Sequence, residues 1–279
     1  MTLAVDAGGT YFRAEIYSGD TLIDSFSAKS CETGLVKWIE AILESNKKIE
    51  NVCIAYAGQV KDGVILSAPN IEIDKKEIKR YFENRFDLEL FIENDLNCAV
   101  LAEAAHYGSR DICSLYVGTG LGLGVLSSSK LFHGFSGMAA ELGHIPYRDT
   151  PFACGCGKSN CVELFASGSG LNRWKKQHSL PESLTLKELK ESSKKEEKEL
   201  YEEFEKALLY AAGTAITLFN PEILVLGGGV IEKNDYICEI LSSKIKDFAL
   251  PIALQNLKII NSEIKNAPLK GALLLKEKK

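Results

Sequence analysis

The sequence predicts an α/β protein made of two related halves, and three observations carry that prediction. Short apolar runs of strand length alternate with amphipathic stretches of helical spacing. Two of these runs end in glycine–threonine turns, Leu3-Ala4-Val5-Asp6-Ala7-Gly8-Gly9-Thr10 and Leu115-Tyr116-Val117-Gly118-Thr119-Gly120. A further strand pattern follows each turn. This is a weak internal repeat, expected of two halves that face a shared cleft.

Residues 3–6 and 12–17 read as strands around the first turn, and 21–27 as a third. Residues 33–45 have helical spacing, and 52–57 form a short apolar run of the kind found in buried strands. A helix is predicted over 75–86, a strand over 88–93 and a helix over 97–106. The second cycle opens with strands at 112–117 and 121–126. It closes with a long helix from about 198 to 219 and a strand at 223–226 that runs into Gly227-Gly228-Gly229. Residues 177–206 are the most polar stretch. Lys and Glu alternate there around Leu186, Leu189, Leu200 and Phe204, which reads as a solvated amphipathic helical pair with no chemistry of its own.

Composition narrows the function classes. The 279 residues are 46% hydrophobic and 25% charged, with a formal net charge of −5. That is an ordinary globular balance, without the basic footprint expected for nucleic acid or an anionic membrane. No apolar run approaches a membrane span, and the first residues enter a strand pattern without a basic, cleavable leader. A cytoplasmic protein is expected. Of eight cysteines, Cys31, Cys53, Cys98, Cys113 and Cys238 are scattered and read as buried reduced thiols.

The turn Asp6-Ala7-Gly8-Gly9-Thr10 lacks the Cβ atoms that would block close approach, so its N–H groups suit phosphate oxygens. Thr10 adds a hydroxyl donor, and Asp6 is a candidate for holding hydrated Mg²⁺. One such turn is an ordinary hairpin; its repetition at Gly118-Thr119-Gly120 makes it a phosphate-site candidate. Other nucleotide signatures fail. No stretch satisfies G-x-G-x-x-G, and Gly157-Lys158-Ser159 lacks the earlier glycine of a P-loop, where Phe152 stands.

Cys154-x-Cys156-x₄-Cys161, with His144 upstream, is the metal candidate. Three thiolates and one imidazole make a closed tetrahedral zinc site, structural because no position is left for substrate. The competing reading is three buried thiols, but Gly155, Gly157, Ser159 and Asn160 are poor core residues. With one ring nitrogen of His144 on zinc, the other would be held as a donor. Asn94-Asp95 ends a predicted strand, where open α/β sheets bind ligands. Taken alone, Asp95 reads as the N-cap of the following helix.

In order along the chain stand Asp6-Ala7-Gly8-Gly9-Thr10 with Arg13, Glu93-Asn94-Asp95 with Asn97, Gly118-Thr119-Gly120, Glu141-Leu142-Gly143-His144, Cys154-Gly155-Cys156 with Cys161, and Gly227-Gly228-Gly229. This pattern resembles the ROK family (repressors, unknown reading frames and sugar kinases), within it the glucokinase-like members, and covers nearly the whole chain. The resemblance implies the actin-like ATPase (ribonuclease H-like) fold, with two α/β domains around a central cleft. The domains would be 1–107, completed by a C-terminal helix at 267–279, and 108–266, which carries the zinc loop 144–161. It implies an ATP-dependent hexokinase acting on the 6-hydroxyl of glucose or a close hexose, with Mg²⁺ and a homodimer.

By the same resemblance, Asp95 is the base that takes the sugar hydroxyl proton. Asn70, Asn94, Glu141, His144 and Glu163 are sugar contacts. Asp6, Gly8, Gly9, Thr10, Gly118, Thr119, Gly120, Gly227 and Gly228 line the ATP site, the last two on the adenosine side. His144, Cys154, Cys156 and Cys161 bind zinc. Two departures concern the sugar loop: Ala140 stands where the family usually has glycine before the glutamate, and the preceding glycines are thinned in Gly134-Phe135-Ser136-Gly137-Met138-Ala139. Kinases for N-acetylmannosamine or fructose, and a non-catalytic sugar-binding regulator, remain alternatives, as does polyphosphate in place of ATP.

Overall fold

The structure, a computed structural model, describes residues 1–68 and 71–278. Among them no helix is long and apolar enough to cross a membrane. The chain forms two compact units. The first comprises Met1–Gly108, Leu131–Ala139 and Ile264–Lys279, and the second Ser109–Lys130 and Ala140–Glu263.

In the first unit, β1 (Thr2–Ala7), β2 (Tyr11–Ser18) and β3 (Thr21–Lys29) form an antiparallel meander, and helix α1 (Leu35–Ser45) follows. Next come β4 (Asn51–Tyr56), a small hairpin of β5 (Gln59–Lys61) and β6 (Val64–Ser67), helix α2 (Ile78–Arg85), β7 (Glu89–Asn94) and helix α3 (Asp95–Tyr107). The sheet order is β3-β2-β1-β4-β7, with β1, β4 and β7 parallel. β1 is buried along its whole length, as a strand covered on both faces, with Asp6 its one ionisable residue. Helix α1 buries Leu35, Val36, Ile39, Ile42 and Leu43, one helical stripe, in the core of this sheet.

Helix α3 is closed at its C-terminus by Gly108 in the left-handed region (φ 65°). The C-terminal helix Ala267–Leu273 packs on α3 so closely that a Cβ on Gly271 would lie 1.7 Å from the carbonyl oxygen of Cys98. Segment Leu131–Ala139 was expected with the second half but groups with the first unit. The physical reason is a set of polar ties, His133 to Glu93 and Lys61 to the carbonyl of Phe135.

In the second unit, β8 (Ile112–Val117), β9 (Leu121–Ser127) and β10 (Lys130–Leu131) lead into a long loop. Helices α4 (Gly168–Gln177), α5 (Leu186–Glu191) and α6 (Lys195–Phe219) follow. Strand β11 (Ile223–Gly227), short helices α7 (Gly229–Glu232) and α8 (Ile237–Lys244), and β12 (Lys258–Asn261) complete it. The sheet order is β10-β9-β8-β11-β12. β8 is antiparallel to β9 and parallel to β11, as β1 is to β2 and β4. The repeat in the sequence therefore falls on topologically equivalent strands. The polar stretch before residue 206 folds as two helices, with Leu186, Leu189, Leu200 and Phe204 buried and the charged face outward.

Candidate active site

In the first unit, parallel pairing sets the candidate residues along one sheet edge. The register aligns Asp6 with Ala55 and Glu93, and Ala7 with Tyr56 and Asn94. Asp6 and the Asn94-Asp95 pair thus both stand at the carboxyl ends of parallel strands, two strands apart. Burial raises the Asp6 carboxyl above its usual range, against the pull of Arg13, whose Nη1 lies 3.3 Å away. The turn is closed by Gly8 N–H donating to the carbonyl of Tyr11 at 3.1 Å, and Ser30 Oγ donates to the carbonyl of Gly9. Gly9 and Thr10 complete the turn, with Thr10 exposed.

Helix α3 is capped by Asn94, not by Asp95. The Asn94 side-chain oxygen accepts from the N–H groups of Leu96 and Asn97, while its amide donates to the carbonyl of Gly58 and to Asp95 Oδ1. Asp95 is the first helical residue, where a carboxylate also meets the positive end of the helix dipole. Glu93 accepts from the N–H of Asn94 at 2.8 Å and from Asn97 Nδ2 at 2.9 Å. Asn70 lies outside the described residues.

In the second unit the turn Gly118-Thr119-Gly120 is closed by Gly118 N–H donating to the carbonyl of Gly120 at 2.9 Å. Its outer carbonyls are taken up by the start of α4: Gly168 N–H donates to Gly118 at 2.8 Å and Ser169 N–H to Thr119 at 3.1 Å. Gly227 and Gly228 stand beside this turn. Gly228 has φ 87°, and a Cβ there would lie 2.6 Å from the carbonyl oxygen of Val117, so glycine is required on both counts.

Glu163 bridges toward the same turn. Its Oε2 accepts from the N–H of Leu121 at 3.0 Å, and a Cβ on Gly120 would come within 2.5 Å of that oxygen. Its Oε1 lies 3.5 Å from Cys154 Sγ. Glu141 is half-exposed and stands 3.9 Å from His144 Nε2. The residue before it, Ala140, has φ 63°, a left-handed conformation that glycine adopts freely and alanine does not.

The other ring nitrogen of His144, Nδ1, lies 3.4 Å from Cys154 Sγ, and Cys156 Sγ lies 3.3 Å from Cys161 Sγ. One ligand atom from each of His144, Cys154, Cys156 and Cys161 falls within 4.8 Å of the others. Tetrahedral zinc with Zn–S near 2.3 Å places its ligand atoms about 3.5–3.8 Å apart, so the donor set and its spacing fit that ion. The loop is shaped by its backbone. Cys154 N–H donates to Lys158, Gly157 N–H returns to Cys154, and Tyr147 and Thr150 N–H donate to Asn160 and Ser159. Burial pushes the Cys154 and Cys161 thiols up. Partial burial also acts on Cys156, but the N–H of Lys158 and hydrogen bonds from its neighbouring thiols outweigh it and lower that thiol.

A model of the ROK family matches residues 2–279. The chain belongs to the ROK family. Among its relatives, a glucokinase of Thermotoga maritima is 28% identical, covering 99% of this chain and 97% of the relative. An N-acetyl-D-glucosamine kinase of Pectobacterium carotovorum is 34% identical over 194 residues, 64% of this chain and 63% of that protein. The crystal structure of a ROK family glucokinase from Streptomyces griseus, in complex with glucose and AMPPNP, superposes with a TM-score of 0.78 at 27% identity, covering 99% of both chains. This ROK protein has the actin-like ATPase fold of those structures.

Three features of the ROK site escaped the sequence reading. Gly168 and Ser169 hold the second glycine turn from outside, in a helix that Ser167 caps. The available signal was a serine before a glycine, a helix-start pattern directly after the cysteine loop. Glu93 is a hydrogen-bond centre, although it stood in the quoted motif. His133, its partner, carried no local signal at all.

Proposed function

We propose that this ROK sugar kinase transfers the γ-phosphoryl group of ATP to the 6-hydroxyl of glucose or a close hexose. Asp95 accepts the hydroxyl proton as the oxygen attacks phosphorus. Asn94 binds a neighbouring hydroxyl, and Glu141, His144, Glu163 and Asn70 supply further sugar contacts. The observation that carries this reading is the capping of α3 by Asn94. Asp95 Oδ1 accepts from the N–H of Leu96 at 3.0 Å, but Asn94 Oδ1 shares that donor at 2.9 Å. Capping alone therefore does not account for a carboxylate next to the end of a parallel strand, and this supports a chemical role.

Backbone N–H groups and side chains of the turns at Gly8–Thr10 and Gly118–Gly120 bind phosphate oxygens, and Gly227–Gly228 leaves room for the nucleoside. Asp6 is the residue that would hold Mg²⁺, which would supply charge neutralisation on the phosphates. Zinc at His144, Cys154, Cys156 and Cys161 supplies a cross-link and no reaction step. With Nδ1 of His144 turned to the cysteines, Nε2 carries the proton and is a donor toward a sugar hydroxyl or Glu141. The acceleration comes from positioning and electrostatics, because the transferred group needs little covalent help. None of the eight cysteines is paired in a disulfide and three of them are assigned to zinc, which fits a cytoplasmic setting.

A second reading, an N-acetylated hexose as acceptor, is favoured by the 34% identity to an N-acetyl-D-glucosamine kinase. A coupled assay with ATP and a panel of glucose, fructose, mannose and the N-acetylhexosamines decides between them. The expected result is turnover with glucose at the highest kcat/KM. Preference for an N-acetylhexosamine moves the assignment to the second reading, and no turnover on any sugar overturns the kinase.

A further inference from the structure

Glu93 organises the end of β7 from a nearly buried position. Its side chain is 15% exposed and engages three groups: the N–H of Asn94, Nδ2 of Asn97 and Nε2 of His133 at 2.8 Å. The first two belong to the junction that presents Asn94 and Asp95. The third comes from forty residues further along the chain, in the loop that groups with the first unit.

That loop is tied down at several points. His133 accepts at its carbonyl from Ala139 N–H at 3.2 Å, closing residues 133–139 into a ring. Lys61 Nζ donates to the carbonyl of Phe135 at 3.2 Å and sits 5.5 Å from the centre of its ring. At Gly137 (φ 82°) a Cβ would lie 3.2 Å from the carbonyl oxygen of Val60, so the loop meets the β5–β6 hairpin backbone to backbone. His133 itself remains 44% exposed. The purely structural explanation fits poorly, because the Lys61 and Gly137 contacts already dock the loop. The tie from His133 ends on the one carboxylate that also holds Asn94 and Asn97.

We propose that His133 is a positioning residue for the acceptor sugar. By donating to Glu93 it joins the 133–139 loop to the β7–α3 junction and sets the pose of Asn94 and Asp95 toward the reacting hydroxyl. The loop runs in sequence directly into Ala140 and Glu141. Burial works against the charge on Glu93. Its carboxyl is nevertheless held below its usual range by the hydrogen bonds from His133, Asn97 and the Asn94 N–H, as an ionised acceptor requires. The inference rests on the sugar-kinase reading above.

The test compares wild type with His133→Ala and His133→Gln on whichever sugar the panel identifies. Gln places a donor where Nε2 stood, so it restores the tie without the imidazole. In His133→Ala, the sugar KM is expected to rise about tenfold, the worth of one hydrogen bond to a charged group. Its ATP KM should stay within about twofold and its thermal midpoint should be unchanged. His133→Gln is expected to recover most of the sugar KM. Hydrogen–deuterium exchange, read without any turnover, should show faster exchange at 133–139 in His133→Ala and near wild-type protection in His133→Gln. A wild-type sugar KM in His133→Ala, equal rises in both KM values, equal impairment of the two variants, or unchanged exchange at 133–139 overturns the proposal. Wild-type inactivity on every sugar overturns the kinase reading instead, and this inference with it.

Discussion

The β7–α3 junction and the cysteine loop both carry residues assigned to sugar, yet they are held in opposite ways. At the junction, each order-giving contact is a protein hydrogen bond: Asn94 caps α3, and Glu93 gathers Asn94, Asn97 and His133. No residue from 93 to 97 has a positive φ. In the cysteine loop the side chains of His144, Cys154, Cys156 and Cys161 converge to within 4.8 Å of one another. Beside it Ala140 is held in the left-handed region. The first region is ordered by hydrogen bonds within the chain, whereas the second gathers side chains whose proposed partner is a cation. Perturbations that touch only one of these supports should therefore separate the two regions.

Asp95→Asn should produce the largest effect. Asn94 already caps the helix, and Asn is nearly isosteric with Asp, so thermal unfolding should match wild type. Single-turnover phosphorylation at saturating sugar and ATP should fall by about 10²–10⁴-fold, the usual worth of a positioned base. A folded variant within a few-fold of wild type would move the base to Glu141 or Glu163.

Metal removal acts on the other region. Purified protein should contain about one zinc per chain, as a closed four-ligand site requires. Cys156→Ser should lower both the zinc content and the sugar affinity, the latter by about 10-fold or more, with little change in ATP KM. Asp95→Asn should keep its zinc. Full activity in metal-free protein would dissolve the contrast between the regions.

Glu141→Gln probes the same side without removing the cation. A carboxylate accepts two hydroxyl hydrogen bonds, whereas the amide offers one acceptor and one misplaced donor. The sugar KM should rise about tenfold with ATP KM unchanged. A rise confined to ATP would take Glu141 out of the sugar site.

The smallest effect is expected at Ala140→Gly. The left-handed conformation costs alanine about 1–2 kcal/mol, and part of the relief is offset by the greater freedom of glycine in the unfolded chain. The net gain should be about 0.5–1 kcal/mol, a rise of roughly 2 °C in Tm by calorimetry. A loss of stability would mean that neighbouring contacts already compensate for the strain.

Much of this site was legible because it is local. The glycine turns, the Cys154–Cys161 spacing and the helix after Asp95 each lie within one turn or loop, where backbone geometry follows directly from residue type. Several elements were not legible. The β5–β6 hairpin has strands of three and four residues, too short for alternation to register. Asp95 reads as the cap in the sequence, but both residue types cap well, and the structure gives that place to Asn94, the last paired residue of β7.

The amino-acid sequence by itself determined the α/β alternation, the paired glycine turns and the four His and Cys residues that converge. These depend on periodicity and on spacings of a few residues. Only the tertiary structure decided that Leu131–Ala139 belongs with the first unit, that Gly168 and Ser169 brace the turn at Gly118–Gly120, and that His133 reaches Glu93. Those contacts join residues roughly forty to seventy-five positions apart. No local propensity encodes such a pairing, because it forms only when packing of the two sheets' own cores has brought distant backbone into register.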